Sequence, residues 1–369
     1  MTELDTLPDV DMEAELAKQT RSKSKPKIKA TLAKIDAKPK PKSKPTSSVV
    51  FLDEDEESED DNEVVAVVPR VRSITPIIGN RSILDYIQID ANHYRFKDWP
   101  QCFPDKKVHL RSLIFNPAWD EFMSQAETRP YFAGIEKILS RFMTEAQHEI
   151  VPPAELLFNA FNITSPRQIR VIILGQDPYP GAARVGSVYI HHATGLSFSI
   201  PANIPKADSV RNIYNNMLQF KHVKKVPLSG CLSALALQGV FMINTALTTF
   251  SGGRGAHRTV WKEFSDHLVS YLANKYEGLV FMAWGRDAHM SCLKIDPNRH
   301  CIITSSHPSP LSAHKTFEGM SYGNIRDERE RRRVTYPAFN TLDHFGRANE
   351  RLIMNKQKPI LWDLLDTTI

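Results

Sequence analysis

The sequence predicts an α/β fold built on a central, mainly parallel sheet of four strands, preceded by a disordered charged arm. Three observations carry that expectation. Four short apolar runs, Val171–Leu174, Val240–Ile243, Leu279–Ala283 and Cys301–Ile303, do not alternate, as suits strands buried on both faces. Segments with helical spacing lie between them, which suits parallel strands joined by helices. The first 70 residues lack the apolar content a core needs.

The elements follow in chain order. Residues 21–45, RSKSKPKIKATLAKIDAKPKPKSKP, hold ten basic residues and four prolines, and residues 53–63, DEDEESEDDNE, hold nine acids. Like-charge blocks repel themselves and stay extended, so 1–70 is expected to be a disordered arm. The Lys–Pro block suits nuclear localisation, DNA tethering or contact with replication proteins; a solubilising tail is the alternative. Residues 71–110 read as an accessory extension, with Ile83, Leu84, Tyr86 and Ile87 in one helical turn or a short strand. From 111 to 369 the chain reads as one compact domain. Asn116-Pro117 suits an N-cap and first helical position for a helix to about Met123. Apolar residues at 131, 132, 135, 138, 139, 142 and 143 make a helical core stripe. Ala154–Phe161, Ser209–Leu218, Pro227–Gln238 and Val260–Ala273 are the further predicted helices.

Composition narrows the function classes. The 369 residues include 47 Lys plus Arg and 42 Asp plus Glu, and 41% are hydrophobic, which excludes a wholly disordered chain or a collagen. No apolar run reaches the roughly 18 residues of a membrane span. Cys102, Cys231, Cys292 and Cys301 form no C-x-x-C pair, which speaks against a zinc or iron–sulfur site and for a reducing compartment. Residues 1–70 carry a net charge of −4 and residues 71–369 a net of +9. A basic folded part favours an anionic partner such as nucleic acid.

In parallel sheets, sites lie beyond the carboxyl ends of the strands. Gly175-Gln176-Asp177-Pro178-Tyr179-Pro180 follows the first run, a stiff turn that limits the freedom of Gln176, Asp177 and Tyr179. Asp177 could equally cap the turn. Asn244 ends the second run; its amide offers a donor and an acceptor to a base edge, or is satisfied by nearby backbone. Ser305–Ser312 follows the last run, with His307 between stiffening prolines. Ser306, Ser309 and Ser312 could donate to phosphates, and Leu311 could wedge into a base stack or cover the edge of the core. There is no G-x-S-x-G elbow, and GQDPYP is not a dinucleotide-binding fingerprint.

These residues carry a signature. GQDPYP at 175–180, GLSFS at 195–199, GVFMINTALT at 239–248 and HPSPLS at 307–312 resemble the motifs of the family-1 uracil-DNA glycosylases. FMAWG at 281–285, HF at 344–345 and PILW at 359–362 add smaller matches, and the matching order spans about 119–369. The resemblance implies a three-layer α/β/α fold and a monofunctional enzyme of base excision repair, active as a monomer on single- or double-stranded DNA without metal or organic cofactor. It further implies that Asp177 activates water and His307 stabilises charge on O2 of the leaving uracil. Gln176, Tyr179, Phe198 and Asn244 would hold the base: Tyr179 by excluding a C5 methyl, Phe198 by stacking, Asn244 by reading O4 and N3. Ser209, Ser309 and Ser312 would contact phosphates, and Leu311 would fill the space of the flipped nucleotide.

The chain departs from the pattern at several points. Pro180 stands at a usual histidine, Thr194 at another, and Ala256 at a usual serine. Insertions fall near 182–192 and 320–343, the second containing RDERERRR at 326–333, which reads as an exposed helix. The arm and insertions resemble additions found in large DNA viruses, which makes a cytoplasmic replication site an alternative to the nucleus. A DNA-binding replication-accessory protein with secondary or no glycosylase activity is the competing reading.

Overall fold

A computed structural model describes residues 83–323 and 331–366. The arm 1–70 and residues 71–82 lie outside the described residues. The chain enters at a short helix α1 (Ile83–Ile87). Tyr86, Ile89, Ala91 and Tyr94 pack with Leu156, Ile190, Ile200 and Ile204 in a cluster of their own, while Trp99, Phe103, Val108 and Leu110 join the main core. Helix α2 (Pro130–Glu145) buries Phe132, Ile135, Leu139 and Phe142. That is the i, i+3, i+4 stripe expected of a helix with one face on the core.

The central sheet has four strands: β1 (Val171–Gly175), then β4 (Val240–Asn244), β5 (Val280–Trp284) and β6 (Cys301–Ser305), in the spatial order β4-β1-β5-β6 and all parallel. Val171 pairs with both Val240 and Val280, and Val280 with Cys301, so the four carboxyl ends finish together. Between β1 and β4 lie an antiparallel hairpin, β2 (Ala182–Val185) with β3 (Val188–His191), and helix α3 (Asp208–Gln219). The hairpin is the form taken by the insertion near 182–192. Helix α4 (Arg258–Lys275) joins β4 to β5, and α5 (Arg286–Cys292) follows β5. Hairpin β7 (Phe317–Met320) and β8 (Arg333–Tyr336), helix α6 (His344–Met354) and a 3₁₀ turn over Trp362–Asp366 follow β6.

Successive strand residues point to opposite faces. Phe241 meets Trp119 and Phe161 on one face; Trp284 meets Phe339, His344 and Phe345 on the other. Helices therefore cover both faces, giving the α/β/α sandwich. Strand β1 has one neighbour reached by the following crossover and another reached by the next. This reversal of direction opens a crevice at its carboxyl end.

Four local expectations change. The predicted Pro227–Gln238 helix shrinks to Ser233–Ala236, and Leu228 is 80% exposed. Gly230 lies where a Cβ would be 2.4 Å from Ile200 Cγ1, and Leu232 N–H bonds to Ser199 Oγ, so this segment follows its neighbours rather than its own periodicity. Ala154–Phe161 divides into a 3₁₀ turn, Ala154–Leu156, and a helix, Asn159–Ile163. The helix expected after Asn116 is a 3₁₀ turn, Pro117–Trp119, followed by a helix over Asp120–Glu127; Asn116 does accept a bond from Ala118 N–H. In RDERERRR, residues 326–330 lie outside the described residues, but Arg331 is in no helix and Arg333 begins β8. The guanidinium of Arg331 donates to the carbonyls of Leu293, Ser321 and Gly323, tying the neck of the hairpin together.

Candidate active site

The turn after β1 and the loop after β6 line one cavity of about 80 Å³ at the carboxyl end of the sheet. Gln176, Asp177, Tyr179, Phe198, Ser209, Asn244, His307 and Ser309 all line it, with Pro180, Thr194 and Arg254. Leu311 and Ser312 do not. Residues more than a hundred positions apart are brought together because β1, β4 and β6 run parallel and end level.

Each side chain is held by its local backbone. The Gln176 carbonyl accepts Ala246 N–H at 2.9 Å and the Thr245 hydroxyl at 3.0 Å, which ties the first turn to the end of β4. Pro180 places its carbonyl on Gly252 N–H at 2.9 Å, so this proline anchors the turn to the 251–257 loop through its backbone. Phe198 has φ +63°, a left-handed conformation that costs a non-glycine residue on the order of 1 kcal/mol. The flanking bonds hold it there: Ser197 N–H to Met242 O, Ser197 Oγ to Ile173 O and Ser199 N–H to Leu196 O. Its ring lies 5.6 Å from His307 and 5.4 Å, edge-on, from Trp284. The Tyr179 hydroxyl is buried, and burial raises its pKa, keeping the phenol neutral.

His307 is a neutral donor. Its Nδ1 accepts Ser309 N–H at 3.0 Å, which places the ring proton on Nε2. Burial, with the nearby charge of Arg254, pushes its pKa down to about 4. The loop braces itself: Ser312 Oγ donates to the His307 carbonyl and pairs with Ser309 Oγ at 2.8 Å, and Asn212 donates to Pro308 O. The Ser312 hydroxyl is thus engaged within the loop. Leu311 is 82% exposed at its tip, so it does not cover the core edge.

The Asp177 carboxylate reaches out of its own turn. Its Oδ2 accepts Gly255 N–H at 2.9 Å from the 251–257 loop. Burial raises its pKa, and the Gly255 bond, Arg258 and Arg254 act in the opposite direction. Sequence reading missed this loop as a partner of Asp177. Its one signal was SGGRG, a basic, glycine-rich stretch: Gly255 has φ +69°, a conformation that brings its N–H to the carboxylate at no steric cost.

Known proteins resemble this chain over the same region. The family model for the uracil DNA glycosylase superfamily matches residues 161–327. A probable uracil-DNA glycosylase of Acanthamoeba polyphaga mimivirus is 48% identical over 288 residues, 78% of this chain and 75% of the relative. A uracil-DNA glycosylase of Psychromonas ingrahamii is 35% identical over 246 residues, 66% of this chain and 100% of the relative. Among solved structures, the crystal structure of mimivirus uracil-DNA glycosylase superposes with a TM-score of 0.73, covering 77% of this chain and 100% of that one.

Proposed function

The chain belongs to the uracil-DNA glycosylase family and is an enzyme of uracil excision from DNA, and from that premise we propose that Asp177 and His307 carry the reaction between them. The observation that carries this reading is that a buried carboxylate and a neutral imidazole with its proton on Nε2 line one small cavity. The target base leaves the stack to enter it. Phe198 stacks on the base, Asn244 pairs with O4 and N3, and Tyr179 closes the space a thymine methyl would need. Cytosine carries an amino group at the O4 position, so an amide set for uracil is left mispaired.

As the bond from C1′ to N1 breaks, its electron pair moves onto uracil and the sugar gains oxocarbenium character. His307 Nε2–H donates to the developing anion at O2, and Asp177 stabilises the cationic sugar. Water, oriented by Asp177, attacks C1′ and passes its proton to the carboxylate. Free uracil and an abasic site result. Gln176 supports the base, Ser209 and Ser309 take the flanking phosphates, Leu311 enters the vacated stack, and Ser312 acts through the loop that presents them. The enzyme works as a monomer, with the arm as the contact for replication proteins. The likeness to the mimivirus protein favours a cytoplasmic viral replication site over the nucleus.

The test is uracil release from a uracil-containing single-stranded oligonucleotide in the presence of a metal chelator. Wild type forms abasic sites; D177N and H307A lose at least about 100-fold in single-turnover rate. Full activity in D177N overturns the mechanism. Binding of DNA with no excision by wild type favours an accessory DNA-binding role.

A further inference from the structure

Asp177 is approached from the solvent side by a second residue that none of the sequence motifs contains. Arg258, the first residue of α4, places one guanidinium nitrogen 3.5 Å from Asp177 Oδ1 and another 3.4 Å from Asp287 Oδ2 on α5. The guanidinium lies under Gly255: a Cβ there would be 2.8 Å from Arg258 Nε and 3.1 Å from Cζ. One glycine thus serves two ends. It gives its N–H to one carboxylate oxygen of Asp177 and leaves room for the cation beside the other.

We propose that Arg258 is a positioning residue for the reaction: braced by Asp287, it holds the Asp177 carboxylate anionic and fixed toward the cavity. The inference rests on the assignment of Asp177 to water activation. A buried carboxylate loses hydration and so favours its neutral, inactive form; a cation at its outer oxygen opposes that. A planar fork reaches two carboxylates at once, which a lysine cannot do in the same way. The charged groups facing Asp177 are Arg258 and Arg254 from the 251–258 segment and Asp287 from α5, with His307 neutral across the cavity. Asp287 opposes the two cations electrostatically, and its role is to brace Arg258.

Arg258 is 46% exposed on its side chain, so a rival role in gripping a DNA phosphate must be separated from this one. The experiment is the pH profile of the single-turnover excision rate, at saturating enzyme, for wild type, R258Q, R258K and D177N, with thermal melting as the check on folding. In R258Q the acid limb moves to higher pH, giving a loss of about 3- to 10-fold near pH 5 that narrows to under about 2-fold near pH 8; R258K lies between. A loss equal at all pH values overturns the proposal. So does an unchanged rate with weaker DNA binding and a shallower salt dependence, the mark of a phosphate contact. If D177N stays active, the reading of the site itself fails. If D177N is inactive and R258Q matches wild type across the range, only the role of Arg258 fails.

Discussion

Gly175 and Asn244 sit opposite each other in register at the ends of two parallel strands, and a Cβ on Gly175 would lie 2.1 Å from Asn244 Oδ1. The same Cβ would meet Ser197 Cβ at 2.7 Å, next to Phe198. The bare backbone of Gly175 therefore makes room for the Asn244 amide and for the turn that presents the Phe198 ring.

Gly175→Ala tests that relationship. Overpacking here costs about 1–3 kcal/mol of stability and displaces the Asn244 amide. The protein is expected to fold with a lowered Tm, and kcat/KM for uracil release is expected to fall at least about 100-fold. Wild-type kinetics in this variant would show that the amide is not held in place by this contact.

Asn244→Asp changes the polarity of the group proposed to read the base. A carboxylate cannot donate to O4 of uracil, and it accepts from the amino group of cytosine. Excision of uracil is expected to drop by about 10²- to 10⁴-fold, with the ratio of uracil to cytosine release falling further toward cytosine. Competition between oligonucleotides containing each base measures that ratio, and an unaltered ratio removes Asn244 from base selection.

Leu311→Ala separates wedge from core. An exposed leucine contributes little to folding, so melting is expected to change by no more than about 0.5 kcal/mol. Excision from duplex DNA is expected to fall about 10-fold more than excision from single strands, because only the duplex stack leaves a gap to fill. Equal losses on the two substrates would exclude the wedge.

Acid stability follows from buried histidines. Burial pushes His257 down to about 3, and His289, His307 and His344 down to about 4, from 6.5. His344 accepts Trp284 Nε1–H at Nδ1 and donates from Nε2 to Phe339 O, a pattern that needs the neutral ring. Above about pH 6.5 neither the folded nor the unfolded chain protonates these groups. Between 6.5 and about 4 the unfolded chain binds protons that the folded chain refuses, so stability declines as pH falls through that window and levels off below it. Tm is expected to drop between pH 7 and pH 5. A flat Tm across that range contradicts the neutral burial of these rings.

Much of the cavity lining was legible because it is concentrated in short post-strand turns. GQDPYP, Asn244 and HPSPLS are local sequences whose prolines and glycines restrict the backbone by themselves, and the apolar runs before them announce strands buried on both faces. Helices with a regular stripe, such as Pro130–Glu145, were legible for the same reason. The failures fall where neighbours outweigh local preference. Pro227–Gln238 has helical spacing, yet Ile200 and Ser199 claim its backbone. RDERERRR suggests an exposed helix by its charge content, yet at its described end Arg331 is drawn to three carbonyls and Arg333 to a strand.

The sequence by itself determined the strands, the rigid turns that follow them and the kinds of side chain those turns present, because each depends on residues adjacent in the chain. Tertiary structure alone decided that Gly255 and Arg258 would close on Asp177, and that Asn212 would brace the His307 loop through the Pro308 carbonyl. Those outcomes depend on burial and on the approach of groups to within about 3 Å. Both arise only once parallel strands end side by side and bring distant loops around one cavity.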